Sequence, residues 1–295
     1  MCLLSPFLWT ACVTPFNCKG KIDYCSLRRL LIMQARAGNG VVLLGSTGES
    51  LSLTDSERCM IVKFACDLKL NTKIMVCVPG VNLYQTFKLL NFCNDMPIHH
   101  YLITTPIYTK PGIIGQTLWF EKLLEKVHVP AMLYNVPSRA GVNLYPETVF
   151  NLYGHEKFWA IKDSSGTIAS LIEYKEVAPN LKIFCGDDNI AFDMVVRGAV
   201  GLVSVASNIL PSIARKYVKR CIFLSQRMMI KFEKKTIIQI MKDDDIKSLM
   251  GIWQRVCKLL LIASNPVPVK MFLHNIGIIE YNTVRLPLSM RDMLL

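Results

Sequence analysis

Lys162 is the residue of this sequence whose position points most directly to chemistry. It ends the apolar run FWAIK, residues 158–162, at the place where a buried segment gives way to polar residues. Burial disfavours the charged ammonium, and the neutral amine can attack ketones and aldehydes to form a Schiff base. The alternative is a structural lysine whose charge is balanced by Asp163 or Asp187. Position alone leaves both possibilities open.

Other polar side chains stand where further apolar runs stop. Tyr134 ends the run before Lys162, and Tyr108 follows the run before that. These phenols could relay protons to a Schiff-base intermediate, or they could be packing aromatics. The segment GSTGES, residues 45–50, offers hydroxyls and N–H groups suited to a carboxylate or phosphate, but it lacks the phosphate-loop signature. Arg139 could grip a carboxylate through two parallel hydrogen bonds, or remain solvated.

The elements that must position these residues are eight short apolar, β-branched runs, recurring at intervals of about 20–35 residues. Each run is continuous rather than alternating, which is typical of parallel strands buried on both faces. The runs are residues 7–14, 40–46, 73–78, 101–105, 129–134, 158–162, 182–186 and 200–205.

Segments with helical periodicity lie between the runs. Residues 54–57 (TDSE) form a capping box that opens a helix reaching Leu70, and Gly38 closes an earlier helix. Eight right-handed βα units favour an α/β fold of the closed (β/α)8 TIM-barrel type, with a doubly wound open sheet as the alternative. We expect residues 1–225 to form the barrel and residues 226–295 to form a wholly helical C-terminal region.

Composition limits the classes of protein that need to be considered. The chain has 295 residues, is 52% hydrophobic and carries a net charge of +12, but no apolar stretch approaches the ~18 residues of a membrane span. The basic residues are dispersed, and the densest group, 227–235, is interpreted as a solvated helix face, so we expect neither a nucleic-acid nor a membrane partner. The 11 cysteines are scattered without metal-ligand spacing, which predicts no metal and a cytoplasmic location.

Motifs spread over nearly the whole chain resemble those of the pyruvate-dependent class I aldolases and lyases, and within them the dihydrodipicolinate synthase family. Their order and spacing fit the strand ends of one barrel, so the set is more specific than any single motif. The segments are VTPF at 13–16, GSTGES at 45–50, TPIY at 105–108, YNVPSRAG at 134–141, IKDSSG at 161–166, GDD at 186–188 and NPVPVK at 265–270.

The resemblance implies catalytic roles for the matching residues. Lys162 would form a Schiff base with pyruvate. Tyr134, Thr47 and Tyr108 would relay protons, with Tyr108 reaching in from a neighbouring subunit of a homotetramer. The family's reaction needs no metal or organic cofactor, since the iminium itself is the electron sink.

The resemblance also implies a set of binding residues. Ser46 and Thr47 would hold the carboxylate of pyruvate, and Arg139 would hold the carboxylate of aspartate semialdehyde. Gly186 and Val203 would line the pocket. The product would feed diaminopimelate and lysine biosynthesis. The family commonly has Thr where this chain has Ser46, but the hydroxyl is kept.

Regulation is where this sequence departs from part of the family. Feedback-inhibited members bind lysine at a dimer interface through a histidine pair and a glutamate, and a tyrosine precedes the relay tyrosine. The matching positions here are Asp55, Arg58, Thr86 and Ile107. We therefore expect weak or no inhibition by lysine.

Two alternative functions remain to be separated by experiment. Sister enzymes of the superfamily, N-acetylneuraminate lyase and the 2-keto-3-deoxy sugar-acid aldolases, share the lysine, the tyrosine and the glycine-flanked turn. Arg139 within SRAG favours a small carboxylate-bearing aldehyde over a sugar. The second alternative is a non-catalytic binding protein of barrel fold, against which the complete set of Lys162, Tyr134 and Arg139 argues.

Overall fold

A computed structural model of the chain describes residues 6–230 and 244–294 and shows a closed parallel barrel. Eight strands pair in sequence order, and the eighth pairs with the first, so the expected barrel is confirmed and the open sheet is wrong. The strands are β1 (Leu8–Ala11), β2 (Gly40–Leu43), β3 (Ile74–Val78), β4 (His100–Thr104), β5 (Ala131–Asn135), β6 (Phe158–Asp163), β7 (Lys182–Cys185) and β8 (Gly201–Ser204).

The strands are apolar throughout because both of their faces are buried. Val41 and Leu43 point outward and pack in the layer between strands and helices. Val42, between them, points into the barrel, where it joins a separate interior cluster with Met75 and Met132. Alternation of the side chains along a strand produces this division, and burial on both sides explains why the sequence shows no alternation of polarity.

Helices surround the barrel and follow the strands in turn. Those up to the last strand are α1 (Tyr24–Ala37), α2 (Asp55–Asp67), α3 (Leu83–Asn94), α4 (Ile113–Leu124), α5 (Pro137–Ala140), α6 (Pro146–Leu152), α7 (Ala169–Val177) and α8 (Ala191–Val196). The predicted capping box at the start of α2 forms between Thr54 and Glu57, and Gly38 ends α1 in the left-handed conformation with φ 73°.

The C-terminal region continues with α9 (Pro211–Ile230), α10 (Asp244–Leu260) and α11 (Val267–Asn275). Helices are therefore present there as expected, but residues 276–289 are turns, bends and irregular chain and are not helical. Gly277, with φ 74°, turns the chain out of α11. The expected division at residue 225 falls inside α9, and the basic group at 227–235 lies outside the residues whose side chains are described.

The helix α10 packs across the barrel near the ends of β7 and β8. The indole Nε1 of Trp253 donates a hydrogen bond of 2.7 Å to the backbone oxygen of Asp188, and its ring stacks on Tyr217 of α9 at 4.6 Å. The C-terminal helices thereby cover one side of the barrel mouth. None of the helices in the described ranges is long and apolar enough to cross a membrane.

Candidate active site

A cavity of about 350 Å³ opens where the strands end. In barrels of this type, the carboxyl ends of the strands are the face that carries the active site. The polar residues lining the cavity lie at the ends of four different strands or just after them. They include Ser46, Thr47, Tyr134, Arg139, Lys162, Ser164, Gly186, Asp187 and Asp188. Residues of the chain between α10 and α11, Ala263 to Asn265, form another wall.

Lys162 lies at the centre of this arrangement because of strand register. It pairs with Tyr134 on β5 and with Phe184 on β7, so the lysine and the tyrosine stand side by side at the same level of the barrel. Lys162 is 6% exposed, and its Nζ lies 3.9 Å from the centre of the Tyr134 ring. Two adjacent parallel strands therefore bring an amine and a phenol together.

The carboxylate next to Lys162 in sequence does not neutralise it. Asp163 is buried on the other face of β6, where Asn135 Nδ2 donates to it at 2.8 Å and the Ser170 hydroxyl also donates. Across residues 6–230 and 244–294, no carboxylate forms an ion pair with Lys162. The structural alternative, an ion pair of Lys162 with Asp163 or Asp187, is therefore wrong for the described residues.

Asp187 and Asp188 are the two carboxylates among the residues that line the cavity. Burial raises the pKa of the Asp187 carboxyl to about 6; the positive charge of Lys162 opposes this rise, while the negative charges of Asp163 and Asp188 add to it. Asp188 has a structural role, because its Oδ2 accepts hydrogen bonds of 2.9 Å from the backbone N–H groups of Val205 and Ala206.

Gly186 leaves room for the lysine. A Cβ atom at this position would lie 2.8 Å from Lys162 Cε and 2.0 Å from Ser164 Oγ, closer than side chains tolerate. The backbone N–H of Gly186 donates to the oxygen of Asp163 at 2.7 Å, which holds β7 close to the end of β6. Any larger residue here would displace the amine.

The glycine-flanked turn after β2 places two hydroxyls on the cavity. The turn closes through hydrogen bonds from Gly48 N–H to the Gly45 oxygen, 3.0 Å, and from Glu49 N–H to the Ser46 oxygen, 3.1 Å. Within the described chain, the backbone N–H groups of Ser46 and Thr47 donate to no acceptor. Hydroxyls and free N–H groups in one turn can bind a carboxylate.

Asn265 connects the turn to the opposite wall, and sequence reasoning did not single it out. Its Nδ2 donates to Thr47 Oγ1 at 2.9 Å, and its backbone oxygen accepts from Arg139 Nη2 at 3.1 Å. The signal was present, since Asn265 begins the segment NPVPVK that carried part of the family resemblance.

Two expected site residues lie elsewhere in this chain. Val203 is fully buried inside the barrel, packed with Trp9, and does not line the cavity; Val205, two residues further on, does. Tyr108 is 90% exposed and has a left-handed backbone with φ 68°. It is held there by a hydrogen bond of 2.9 Å from its backbone N–H to the Ala140 oxygen, and it does not reach the cavity of its own chain.

No group of three or more His, Cys, Asp or Glu side chains suited to a metal ion occurs in the described ranges. The cysteines among those residues are all free thiols. Burial raises the pKa of the Cys77 thiol inside the barrel to about 12, so this cysteine stays protonated and behaves as a small apolar residue.

This barrel is closed, and at the ends of neighbouring strands it carries a tyrosine and a lysine that forms no ion pair within residues 6–230 and 244–294. That is the architecture of a Schiff-base-forming enzyme. A sequence model described as the Dihydrodipicolinate synthetase family matches residues 6–292, and the chain belongs to that family.

Relatives match this chain over almost its full length. It is 63% identical over 290 residues to a 4-hydroxy-tetrahydrodipicolinate synthase of Wolbachia pipientis subsp. Culex pipiens (strain wPip), covering 98% of this chain and 92% of the relative. It is 43% identical over 286 residues to the protein of the same name from Chlamydia abortus, covering 97% and 91%.

Solved structures agree with the fold. A dihydrodipicolinate synthase from Aquifex aeolicus superposes with a TM-score of 0.85 at 25% identity, covering 97% of this chain and 92% of that one. A dihydrodipicolinate synthase from Acinetobacter baumannii, described as chloride inhibited and complexed with pyruvate, superposes with a TM-score of 0.85 at 26% identity, covering 96% and 92%.

Proposed function

We propose that this chain is a 4-hydroxy-tetrahydrodipicolinate synthase, a lyase that condenses pyruvate with L-aspartate 4-semialdehyde in the diaminopimelate and lysine pathway. The observation that carries the proposal is the Lys162 amine, which stands in a cavity beside the Tyr134 ring with no carboxylate paired to it in the described chain. One solved relative is described as complexed with pyruvate, the family resemblance supplies the aldehyde, and this site supplies a chemistry that fits both.

The proposed reaction begins when Lys162 releases its ammonium proton to the solvent and the resulting amine attacks the ketone carbon of pyruvate. Loss of one water gives an iminium, and loss of a proton from the methyl group gives an enamine. The enamine carbon attacks the aldehyde of the second substrate and forms a carbon–carbon bond. The amino group of the adduct then attacks the imine carbon, closes the ring and releases Lys162.

Proton transfers accompany each of these steps. Tyr134 is the phenol nearest to Lys162, and Thr47 lines the same cavity. In the proposed relay these two groups are joined by Tyr108 from a neighbouring subunit, because Tyr108 of the same chain lies on the surface. The iminium is the electron sink, so the proposed chemistry requires neither a metal nor an organic cofactor.

The two substrate carboxylates are assigned to opposite sides of the cavity. The hydroxyls and free N–H groups of Ser46 and Thr47 suit the carboxylate of pyruvate. The guanidinium of Arg139, which is exposed at the cavity wall, suits the carboxylate of the aldehyde. Gly186 leaves the space in which the imine forms.

We further propose that the protein assembles as a homotetramer and works in the cytoplasm. Exposed apolar side chains lie on α3 and α4, the helices before and after the Tyr108 segment in sequence, and would be covered by a neighbouring subunit. They include Tyr84, Ile114 and Leu118, which are 70%, 78% and 54% exposed. A surface of this kind is typical of a contact between subunits.

Substrate profiling tests the proposed activity. The purified protein is incubated with pyruvate and L-aspartate 4-semialdehyde, and the cyclised product is followed by mass spectrometry. N-acetylneuraminate and a 2-keto-3-deoxy sugar acid are offered separately for cleavage. We expect turnover of pyruvate with L-aspartate 4-semialdehyde only. We also expect Arg139→Ala to raise the KM for the aldehyde about tenfold or more, while the KM for pyruvate changes little. Turnover of the sugar acids alone would contradict the proposal.

A further inference from the structure

The described chain contains a second buried lysine, Lys270, which the proposed mechanism does not use. It lies on α11 and is fully buried. Its ammonium forms an ion pair with Glu49, which is 4% exposed, and donates to the backbone oxygen of Thr283 at 2.9 Å. Ions are costly to bury unless they are paired and hydrogen-bonded, so this pair requires an explanation.

Glu49 is the last residue of the turn that carries Ser46 and Thr47. Its backbone is in the left-handed region with φ 54°, which is unfavourable for a side chain without a local reason. Both of its carboxylate oxygens are bound by the C-terminal segment: Lys270 donates to Oε1, and the backbone N–H of Arg285 donates to Oε2 at 2.8 Å. The turn is therefore held at its end by residues far away in sequence.

The same C-terminal segment also touches the cavity directly. Asn265, five residues before Lys270, donates to Thr47 Oγ1 at 2.9 Å and accepts from Arg139 at 3.1 Å. One stretch of chain thus contacts the turn at two points, through Asn265 at the cavity and through Lys270 behind it. Because Lys270 fixes the chain to Glu49, the position that Asn265 can take next to Thr47 is restricted.

The surroundings of the pair are charged as well as aromatic. Lys270 Nζ lies 4.1 Å from the centre of the Phe16 ring, and the guanidinium of Arg285 lies 4.5 Å from the same ring. Arg285 is in turn paired with Glu57. Burial lowers the pKa of Lys270 to about 8, while the adjacent Glu49 carboxylate opposes that shift.

We infer that Lys270 and Glu49 form a positioning pair that fixes the Gly45–Glu49 turn against the C-terminal segment and so sets the position of the Thr47 hydroxyl in the cavity. Neither residue touches the substrates, and both act through Thr47 and Asn265. The inference rests on the proposed function, because it depends on Thr47 being the group that binds the pyruvate carboxylate.

Steady-state kinetics of variants of the full-length protein test the inference. We expect Lys270→Met and Glu49→Gln each to raise the KM for pyruvate about tenfold or more, and the double variant to be no worse than the single variants. Lys63→Met, which removes an exposed ion pair to Asp67 on α2, is the matched control and should stay within about twofold of the wild type.

A purely structural role would lower kcat through loss of folded protein and leave the KM for pyruvate unchanged. Folded variants with an unchanged KM would therefore overturn the inference. If Lys270→Met does not fold, Glu49→Asp decides instead, because it keeps both charges and withdraws the carboxylate by one methylene. A raised KM in that variant supports the pair as a positioning device, and an unchanged KM contradicts it.

Borohydride trapping separates this inference from the proposed function. At saturating pyruvate, the wild type and the variants should all give the Lys162 adduct, since the amine itself is untouched. Absence of the adduct in the wild type would contradict the proposed function. Its presence, together with an unchanged KM in the folded variants, would contradict only the positioning role.

Discussion

Lys162 depends on neighbours that the sequence places at matching levels of different strands. Tyr134 is beside Lys162 because β5 and β6 pair in register. Gly186 is beside Lys162 because it is the first residue after β7, the neighbouring strand on the other side. Strand ends were visible in the sequence as the points where apolar runs stop, so the residues at those points could be predicted. Val203 could not be separated from Val205, since both belong to the apolar run 200–205 and the sequence does not mark that β8 ends between them, at Ser204.

Replacing Gly186 tests how closely the lysine is enclosed. The added methyl group of Gly186→Ala would lie 2.8 Å from Lys162 Cε, so we expect the yield of the trapped pyruvate adduct to fall by about tenfold or more. Gly112→Ala is the matched control, because its methyl group meets no atom within 4 Å. If Gly186→Ala gives the same adduct yield as the wild type, the space around Lys162 is larger than these distances indicate.

All eight strands were predicted from the sequence, whereas only two of the helices, α1 and α2, were predicted individually. All eight apolar runs became strands, with ends shifted by up to three residues, because parallel strands covered by helices are apolar along their whole length. The helix at 54–70 was predicted from its capping box and observed as Asp55–Asp67. The contacts of Lys270 and Arg285 with the turn were not predictable, since they join residues more than two hundred positions apart.

The contact between α2 and the C-terminal segment gives a prediction about pH. Hydrogen bonds from the Arg285 guanidinium, at 2.6 and 2.7 Å, lower the pKa of Glu57 from 4.5 to about 2. The ionised carboxylate therefore stabilises the fold above pH 4.5, and this contribution is lost as the pH falls through about 2.

Glu57→Gln should accordingly reduce the free energy of unfolding by about 1–2 kcal/mol at pH 7, after allowance for partial exposure to solvent. The difference in the free energy of unfolding between this variant and the wild type should shrink steadily as the pH falls. Urea unfolding curves taken between pH 5 and the lowest pH at which the protein folds measure this difference. Glu125→Gln, in an exposed pair with Lys122, should have almost no effect. If the difference in the free energy of unfolding between Glu57→Gln and the wild type does not change with pH, the ionised Glu57 carboxylate is not its source.

The whole molecule requires a second copy if Tyr108 takes part in catalysis. Tyr108 lies on the surface of its own chain, and its backbone is held in the left-handed conformation. Co-expression of Lys162→Ala with Tyr108→Phe under separate tags tests this. Each variant alone should lose about a hundredfold or more in kcat. The purified mixed assembly should recover up to about half of the wild-type activity, because one site per pair regains both groups. No recovery would contradict a shared site.

The prediction about inhibition by lysine concerns the proposed assembly. The positions expected to weaken it are engaged within the chain: Asp55 pairs with Arg58 at 2.7 Å, and the Thr86 hydroxyl donates to the Asn82 oxygen at 2.9 Å. We therefore keep the prediction that lysine inhibits weakly or not at all. A lysine titration of the steady-state rate measures this, and strong inhibition at physiological concentrations would contradict it.

Lys162 is proposed to form a Schiff base with pyruvate, and intact-mass measurement after incubation with pyruvate and sodium borohydride tests this most directly. The wild type should gain the mass of one reduced pyruvate adduct per chain, only when pyruvate is present, and Lys162→Ala should gain none. Failure of the wild type to gain mass, or an equal gain in the folded Lys162→Ala protein, would contradict the account.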